Sequence, residues 1–334
     1  MRHALAAAAA FLCTGCLTLH AALQSAEGEL TLLASRKPIA EVIANPRTRP
    51  RVRALLREID QVKRFGEQNG LTPTDNYQHY VQLRRAAAVY VVSACEPLRF
   101  RSKTWSFPVA GDFPYLGWFD LRSAQDYARD LASDGWDVDL RGAAAYSTLG
   151  WFHDPVLSSM IAKGPEALGD LVDVVLHESV HATLHLDGQA LFNESLASFV
   201  ADHLAARYLE KSPRARTAWE DQQRRGDATS KELHGAYLEL QQLYASPLAD
   251  GEKRARKEVV LKALQQKVRM RAINNATLLQ HQTYSSGGQG FARVLDACRG
   301  DFRCFFGRLR TLTPRSFARP HQEELDAVLL PLAR

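Results

Sequence analysis

The spacing of apolar residues changes several times along the chain, and each change predicts a different element. Residues 51–67 carry apolar side chains every three or four positions, which is typical of an amphipathic helix, and residues 75–84 show a similar spacing. Residues 88–94 are almost continuously apolar and predict a strand. Further extended segments are predicted at 98–100, 105–109, 115–119 and 136–149, with a helix at 123–133. This part of the chain therefore predicts helices followed by a small, mostly antiparallel sheet.

The second half of the chain predicts a pair of helices. Residues 168–184 and 189–210 both carry apolar side chains at the spacing of buried helices. Asp187-Gly188 lies between them, and a glycine at this position commonly ends a helix. Beyond the pair, helices are predicted at about 214–245 and 250–280, with shorter ones to the end. We therefore predict an antiparallel helical hairpin that turns at Asp187-Gly188, followed by a helical C-terminal part.

His177, Glu178 and His181 give the first helix of this hairpin a candidate chemistry. Residues four apart on an α-helix share one face, about 6 Å apart along the axis, so one metal ion can contact both imidazoles. The glutamate beside the first histidine can reach a water molecule on that metal. The run His177-Glu178-Ser179-Val180-His181 is therefore the signature of zinc-dependent peptide hydrolysis.

The symmetry of the hairpin predicts Glu194 as the third ligand. His181 lies six residues before Asp187 and Glu194 lies six after Gly188, so their side chains should be level across the turn. Two histidines and one glutamate would hold one zinc ion and leave a fourth position open for water. The alternative is that Glu194 is a solvated carboxylate.

Neighbouring polar residues are assigned by the same geometry. Ser198 should lie level with Glu178 and His177, where it could hydrogen-bond a ligand, and Asn193, next to Glu194 in the sequence, is expected to have the same supporting role. His185 is a rival third ligand, but a straight helix would carry it about 12 Å beyond His177, too far to share one ion.

The N-terminus predicts export. The apolar stretch of residues 4–12 is too short to cross a bilayer and is followed by Cys13-Thr14-Gly15-Cys16, the layout of a secretory signal. Gly15-Cys16 resembles the end of a bacterial lipoprotein signal, so we expect residues 1–15 to be removed and Cys16 to carry lipid. An ordinary signal peptide cleaved nearby is the alternative. Leu17 resembles a signal for the outer membrane, so the predicted location is the cell envelope, facing the periplasm.

Charge and the remaining cysteines add smaller constraints. The net charge is +5, but basic residues alternate with acidic ones along predicted helices, which favours solvated faces and not nucleic-acid binding. In an oxidising periplasm Cys298 and Cys304, six residues apart, could form a local disulfide. Cys95 lies in an apolar run and is expected to be a buried free thiol. No oligomeric state is predicted.

In this context the chain resembles the gluzincin metallopeptidases, because His177-Glu178-x-x-His181 is followed by Asn193-Glu194-Ser195. More narrowly, it resembles a bacterial family of zinc-dependent aminopeptidases that are predicted to be lipoproteins. The segments that carry this resemblance are 36–39, 105–111, 115–119, 145–152, 154–155, 192–195 and 274–276. The resemblance implies zinc at His177, His181 and Glu194, with Glu178 catalytic. Many gluzincins place an aspartate four residues after the glutamate ligand, where this chain has Ser198.

Together these features predict an α+β, mostly helical, zincin-like metallopeptidase with a small sheet beside the His-Glu-x-x-His helix. Residues 16–334 would form a single unit after the signal peptide. Within it, residues 29–160 would hold helices and the small sheet, residues 161–211 the zinc-binding hairpin, and residues 212–334 the helical C-terminal part.

The predicted reaction is hydrolysis of a peptide bond by zinc-activated water, with Glu178 as general base. Tyr146 and Tyr284 are candidate donors to the oxyanion, and Asp154 is a candidate anchor for a substrate amine. Residues 145–152 are the candidate edge strand for an extended peptide. An aminopeptidase is favoured, and the alternatives are a zinc endopeptidase of the cell envelope or a non-catalytic lipoprotein with a structural zinc site. The expected partners are peptide substrate and, through the lipid anchor, the membrane.

Overall fold

A computed structural model describes residues 24, 27, 28, 30–107, 111–145, 153–270, 272–283, 288–320, 322 and 324–334. The helices are α1 Ile39–Ala44, α2 Pro50–Gln68, α3 Leu121–Ser133, α4 Ala167–Thr183, α5 Ala190–Tyr208, α6 Pro213–Ala245, α7 Asp250–Val268, α8 Asn275–Thr283, α9 Gly288–Ala297, α10 Phe302–Leu309 and α11 Asp326–Leu329. The strands are β1 Lys37–Pro38, β2 His79–Val81, β3 Val89–Cys95, β4 Trp105–Phe107, β5 Gly111–Phe113, β6 Leu116–Trp118, β7 Asp137–Ala143 and β8 Val156–Leu157. The architecture is mixed α+β and mainly helical.

The chain divides into two compact units. The first, here called the sheet unit, takes in residues 1–36, 83–146 and 229–279. The second, here called the hairpin unit, takes in residues 37–82, 147–228 and 280–334. None of the described helices combines the length and apolar composition that crossing a membrane requires.

The hairpin unit is built around α4 and α5, most of whose apolar side chains are buried. The two helices pack through residues that share this burial: Leu171, Val172, Val175, Leu176, Val180, Phe192, Leu196, Val200 and Leu204. Helix α2 packs against α4 so closely that a Cβ on Gly66 would lie 3.2 Å from Leu176 Cδ2. The C-terminal helices cover α5 with aromatic rings, since Phe192 and Phe291 have centroids 5.6 Å apart. Burial of this apolar surface is what holds the hairpin in place.

The small sheet of the hairpin unit has the order β1-β2-β8. Strand β2 pairs antiparallel with β1 and parallel with β8, where Tyr80 lies opposite Val156. This sheet carries the chain into the segment that precedes α4.

In the sheet unit β3 is the central strand and is buried along its whole length. It pairs antiparallel with β6 and β7, placing Val92 opposite both Leu116 and Leu140. Helix α3 packs on this sheet, and Trp105 donates a hydrogen bond from Nε1 to the Tyr127 hydroxyl at 2.6 Å. Asp120 caps α3 by accepting from the Ser123 backbone N–H at 2.8 Å.

Three local predictions were wrong. Residues 75–84 do not form a helix, because Tyr77 has φ of +65° and its N–H donates to Asp154, after which the chain enters β2. Residues 98–100 form a turn and bend. The helix predicted over 250–280 is divided, since Arg269 adopts a left-handed conformation after α7 and α8 begins at Asn275. At residues 75–84, therefore, a contact with a distant residue, Asp154, outweighs the helical spacing of the apolar residues.

The described cysteines lie at two places. Cys298 and Cys304 form a disulfide that joins the end of α9 to α10. Cys95 is a buried free thiol at the end of β3, and burial raises its pKa to about 12. That thiol is therefore protonated and unreactive at neutral pH.

Candidate metal centre

The turn of the hairpin is fixed by the side chain of Asn193. Helix α4 ends at Thr183, earlier than the predicted stop at Asp187-Gly188, because the backbone is extended at Leu184. The buried Asn193 amide then donates to the Leu186 carbonyl and accepts from the Leu186 N–H, each at 2.9 Å. Gly188 completes the turn at φ of +73°. These two hydrogen bonds fix the position at which Glu194, the next residue of α5, lies against α4.

That next residue, Glu194, lies against both histidines of α4. Its Oε2 is 3.4 Å from His177 Nε2, and its Oε1 is 3.7 Å from His181 Nε2. One ligand atom from each of the three residues lies within 4.8 Å of the other two. Tetrahedral bonds of about 2.0–2.1 Å place ligand atoms roughly 3.3–3.5 Å apart, so this donor set fits one zinc-sized ion.

The site is partly open to solvent. The side chains of His177 and His181 are 19% and 8% exposed, whereas that of Glu194 is 33% exposed. Among the described residues, no other group of three or more His, Cys, Asp or Glu side chains comes this close together. The three residues predicted from the sequence are therefore brought together, with one side accessible.

The protonation states suit metal binding for two of the three residues. Burial, followed by the charge of His177, lowers the pKa of His181 to about 4, so its imidazole is neutral at neutral pH. Burial alone would raise the pKa of Glu194, but hydrogen bonding to His177 and the charge of His181 lower it overall. A neutral imidazole and a carboxylate are the forms that bind a metal.

His177 differs because it holds a proton more tightly in the metal-free protein. Burial acts to lower its pKa, yet the hydrogen bond to Glu194 and the charges of Glu178 and Asp173 raise it overall. A metal ion bound by His177 would have to displace that proton, which makes binding pH-dependent.

A second carboxylate lies one helical turn before His177. Burial, and then the charge of Asp202, raises the pKa of Asp173 to about 7. Its Oδ1 is buried and has no hydrogen-bond partner in the part of the chain that the structure describes. The same holds there for His181 Nδ1 and Ser195 Oγ. Such unsatisfied buried polar atoms are uncommon and cluster here around the ligands.

Sequence reasoning missed one neighbour of Glu178. Tyr77 is buried, and burial raises the pKa of its hydroxyl well above the usual value, with the charges of Glu178 and Asp154 adding to this effect. Asp154 itself is buried within the hairpin unit. Tyr77 lies far from Glu178 in the sequence and falls in a segment whose spacing predicted a helix, so no local signal pointed to it.

The other site residues predicted from the sequence do not contact the ligand cluster in this way or lie outside the described residues. Ser198 is half-buried and forms no hydrogen bond with a ligand residue among the described contacts. His185 lies beyond α4, where its Nε2 is 4.0 Å from Asp187, and its ring centroid is 6.5 Å from that of His181. Tyr146, Tyr284, Cys16 and residues 146–152 of the candidate edge strand lie outside the described residues.

Fold and site together define an α+β protein whose helical hairpin presents a histidine–glutamate cluster that can hold a divalent cation. The chain matches the family described as putative aminopeptidase over residues 22–324, and it belongs to that family. Membership of this family implies a peptidase that acts on peptide substrates. No functionally curated protein and no solved structure matches the chain. The family resemblance drawn from the sequence is thereby confirmed.

Proposed function

We propose that the protein is a zinc-dependent aminopeptidase with a zincin-like site in its hairpin unit. The observation that carries this proposal is the convergence of His177, His181 and Glu194, with Glu178 beside the first histidine on the same helix. Membership of the aminopeptidase family supports the peptide substrate. One zinc ion per chain is the proposed cofactor.

The chemistry follows from the residues present. A zinc ion in such a site acts as a Lewis acid on water and on the scissile carbonyl. His177, His181 and Glu194 would hold that ion, while the Glu178 carboxylate takes a proton from the attacking water and passes it to the leaving amine. Glu178 is half-buried, which limits competing solvent around its carboxylate.

A catalytic role is favoured over a structural one by the composition and exposure of the site. Structural zinc sites are usually closed by four ligands and rich in cysteine. Here the cluster has three candidate ligands, none of them cysteine, and Glu194 is one-third exposed. These features favour an open coordination position.

We also propose that the protein is exported and anchored by lipid at Cys16 in the bacterial cell envelope, facing the periplasm. The disulfide between Cys298 and Cys304 supports an oxidising compartment.

The test is the substitution Glu178→Gln, which keeps the size of the side chain and removes its basicity. We expect zinc to remain bound at one ion per chain, measured by elemental analysis, while peptide turnover falls by about 10³-fold or more. Glu210→Gln, at an exposed position of the same unit, is the control and should retain full turnover.

Peptide libraries with free and with blocked N-termini separate the remaining possibilities. Cleavage that requires a free N-terminus supports an aminopeptidase, whereas cleavage of blocked peptides would identify an endopeptidase. Wild-type protein that binds zinc and cleaves neither library would contradict an enzymatic role and leave zinc as a structural ion.

A further inference from the structure

A cavity of about 440 Å³ lies in the hairpin unit, apart from the candidate metal centre. It opens between one face of α2 and the C-terminal end of α5, and its volume is within the range of small-molecule sites. With a rise of about 1.5 Å per residue, roughly 20 Å along α5 separates Arg207 in the cavity from Glu194. The described residues that line the cavity are Gln61, Arg64, Phe65 and Gln68 from α2, and Arg207, Tyr208, Glu210 and Lys211 from the end of α5 and the turn after it.

Two aromatic rings form an apolar wall of this cavity. Phe65 and Tyr208 pack edge to face, with ring centroids 5.4 Å apart. The Tyr208 hydroxyl donates to Glu58 at 2.7 Å, and Lys211 Nζ lies 3.8 Å from the centroid of the Tyr208 ring. Because Tyr208 is buried and held at its hydroxyl, the wall is formed before any ligand arrives.

The charge of the cavity is positive. Of the described residues that line it, three are basic and one is acidic, an excess of two positive charges. Lys211 has a partner, since its Nζ lies 3.7 Å from Glu58 Oε2. Neither Arg64 nor Arg207 forms an ion pair with a carboxylate in the described part of the chain. The two guanidinium groups therefore face the cavity without a counterion from the protein.

Arg64 has no structural role that would explain its place in the cavity. Arg207 donates from Nη2 to the Gly300 carbonyl at 3.1 Å, and its guanidinium lies 5.1 Å from the centroid of Phe302. A cation at the C-terminal end of α5 is also favoured by the helix dipole. Arg64, by contrast, lies within α2 and forms no hydrogen bond or ion pair among the described residues, even with Asp60 one turn before it. Its guanidinium is free to bind a ligand.

The lining groups suit a phosphate group better than other anions. Arginine presents a planar fork of N–H donors that matches the oxygens of a phosphate. Gln61 and Gln68 share one face of α2 with Arg64, so their amides can add neutral donors. A phosphate monoester carries a charge of about −1.5 to −2 near neutral pH, which matches two guanidinium groups, whereas one carboxylate would match only one.

We propose that this cavity binds a small molecule that carries a phosphate group, with Arg64 and Arg207 as its anion-binding residues. The rings of Phe65 and Tyr208 would contact the rest of that molecule. The proposal is independent of the peptidase activity, since none of the proposed zinc ligands lines the cavity. A soluble phosphate ester and the headgroup of a lipid share this chemistry, so the test includes both.

The first test titrates the intact protein calorimetrically with inorganic phosphate, phenyl phosphate and benzoate. We expect phenyl phosphate to bind more tightly than inorganic phosphate, because its ring can pack on the aromatic wall, and more tightly than benzoate, because it carries more charge. Arg64→Gln should weaken the binding of phenyl phosphate by about 10-fold or more. Arg64→Lys, which keeps the charge and loses the fork, should fall between that variant and wild type.

Arg57→Gln is the matched control. Arg57 is exposed two turns before Arg64 on the same helix and does not line the cavity, so its substitution makes the same change in net charge. We expect it to change the affinity for phenyl phosphate by less than about twofold, since an exposed charge at a distance is screened. An equal loss in Arg57→Gln, or undiminished binding in Arg64→Gln, would overturn the proposal, because the anion would then be attracted non-specifically or bound elsewhere, as at a metal ion.

The second test distinguishes the two sources of phosphate by sedimentation with vesicles of phosphatidylcholine, with and without phosphatidic acid. Binding that requires phosphatidic acid and is lost in Arg64→Gln, without binding of phenyl phosphate, would support the site and identify a lipid headgroup. Binding of phenyl phosphate without binding to vesicles would support the site and identify a soluble ester. Failure of both arms, or benzoate bound as tightly as phenyl phosphate, would overturn the proposal whether or not the protein cleaves peptides.

Discussion

One cluster of buried polar groups in the sheet unit differs sharply from the polar groups around the ligand cluster of the hairpin unit. In the sheet unit, the buried Lys257 ammonium pairs with Asp137 and donates to the Pro97 carbonyl at 2.9 Å. Asn275 donates its backbone N–H to Asp137 at 2.9 Å and its side-chain amide to the Glu96 carbonyl at 2.8 Å. Each of these groups is engaged by another, so the network is closed. Such a network stabilises and orders the elements that it joins.

In the hairpin unit, by contrast, buried polar atoms around the ligand cluster lack partners. Asp173 Oδ1, His181 Nδ1 and Ser195 Oγ have none among the described residues, and the pKa values of Asp173 and His181 are strongly shifted. Unsatisfied groups with shifted pKa values are typical of functional sites. The difference teaches that the segment 274–276, which contributed to the family resemblance, belongs to a closed hydrogen-bond network, whereas the unsatisfied polar atoms lie beside the proposed ligands.

The largest expected effect comes from breaking the closed network. Asp137→Ala leaves the Lys257 ammonium buried without its carboxylate, so we expect the free energy of unfolding to fall by about 3–5 kcal/mol, measured by urea unfolding. Asp130→Ala, at an exposed position on α3, should change it by less than about 0.5 kcal/mol. If Asp137→Ala were as mild as its control, the network would not be the stabilising element of this unit.

The reverse pattern is expected at the ligand cluster. Glu194→Gln should weaken zinc binding by about 100-fold or more, measured by competition with a chelator, because a charged ligand is replaced by a weak one. The metal-free variant should unfold within about 1 kcal/mol of wild type, since the carboxylate is partly exposed and its histidine contacts contribute little there. Unchanged zinc affinity would exclude Glu194 as a ligand.

The ligand cluster could be predicted because its geometry is local. His177 and His181 are placed by the period of one helix, and Glu194 by symmetry about a turn only a few residues away. The turn lies at Asp187-Gly188 as predicted, but the end of α4 was less accurate, since α4 ends at Thr183 and the backbone is extended at Leu184. The hydrogen bonds between the Asn193 side chain and the Leu186 backbone, which hold the turn, could not be predicted from the spacing of apolar residues.

What could not be predicted depends on contacts between distant residues. The backbone at Tyr77 is held by the Asp154 carbonyl, and the carbonyls just before it are bound by Lys63; these residues are widely separated in the sequence. The same contacts turned a helical spacing at 75–84 into a bend and a strand. In the sheet unit, the pairing of Lys257 with Asp137 joins residues 120 positions apart, so sequence periodicity could not reveal it.

The smallest effect concerns the unsatisfied carboxylate of Asp173 in metal-free protein. Its pKa is raised from 3.8 to about 7, so between these values the folded state holds a proton that the unfolded state has lost, and stability falls as pH rises through this window. Asp173→Asn removes the buried charge, so we expect it to raise the free energy of unfolding by about 1–2 kcal/mol at pH 8 and to have little effect near pH 4. Thermal unfolding at both pH values measures the difference. A loss of stability at pH 8 would mean that the Asp173 charge is paired, and the contrast between the two units would then fail at its central example.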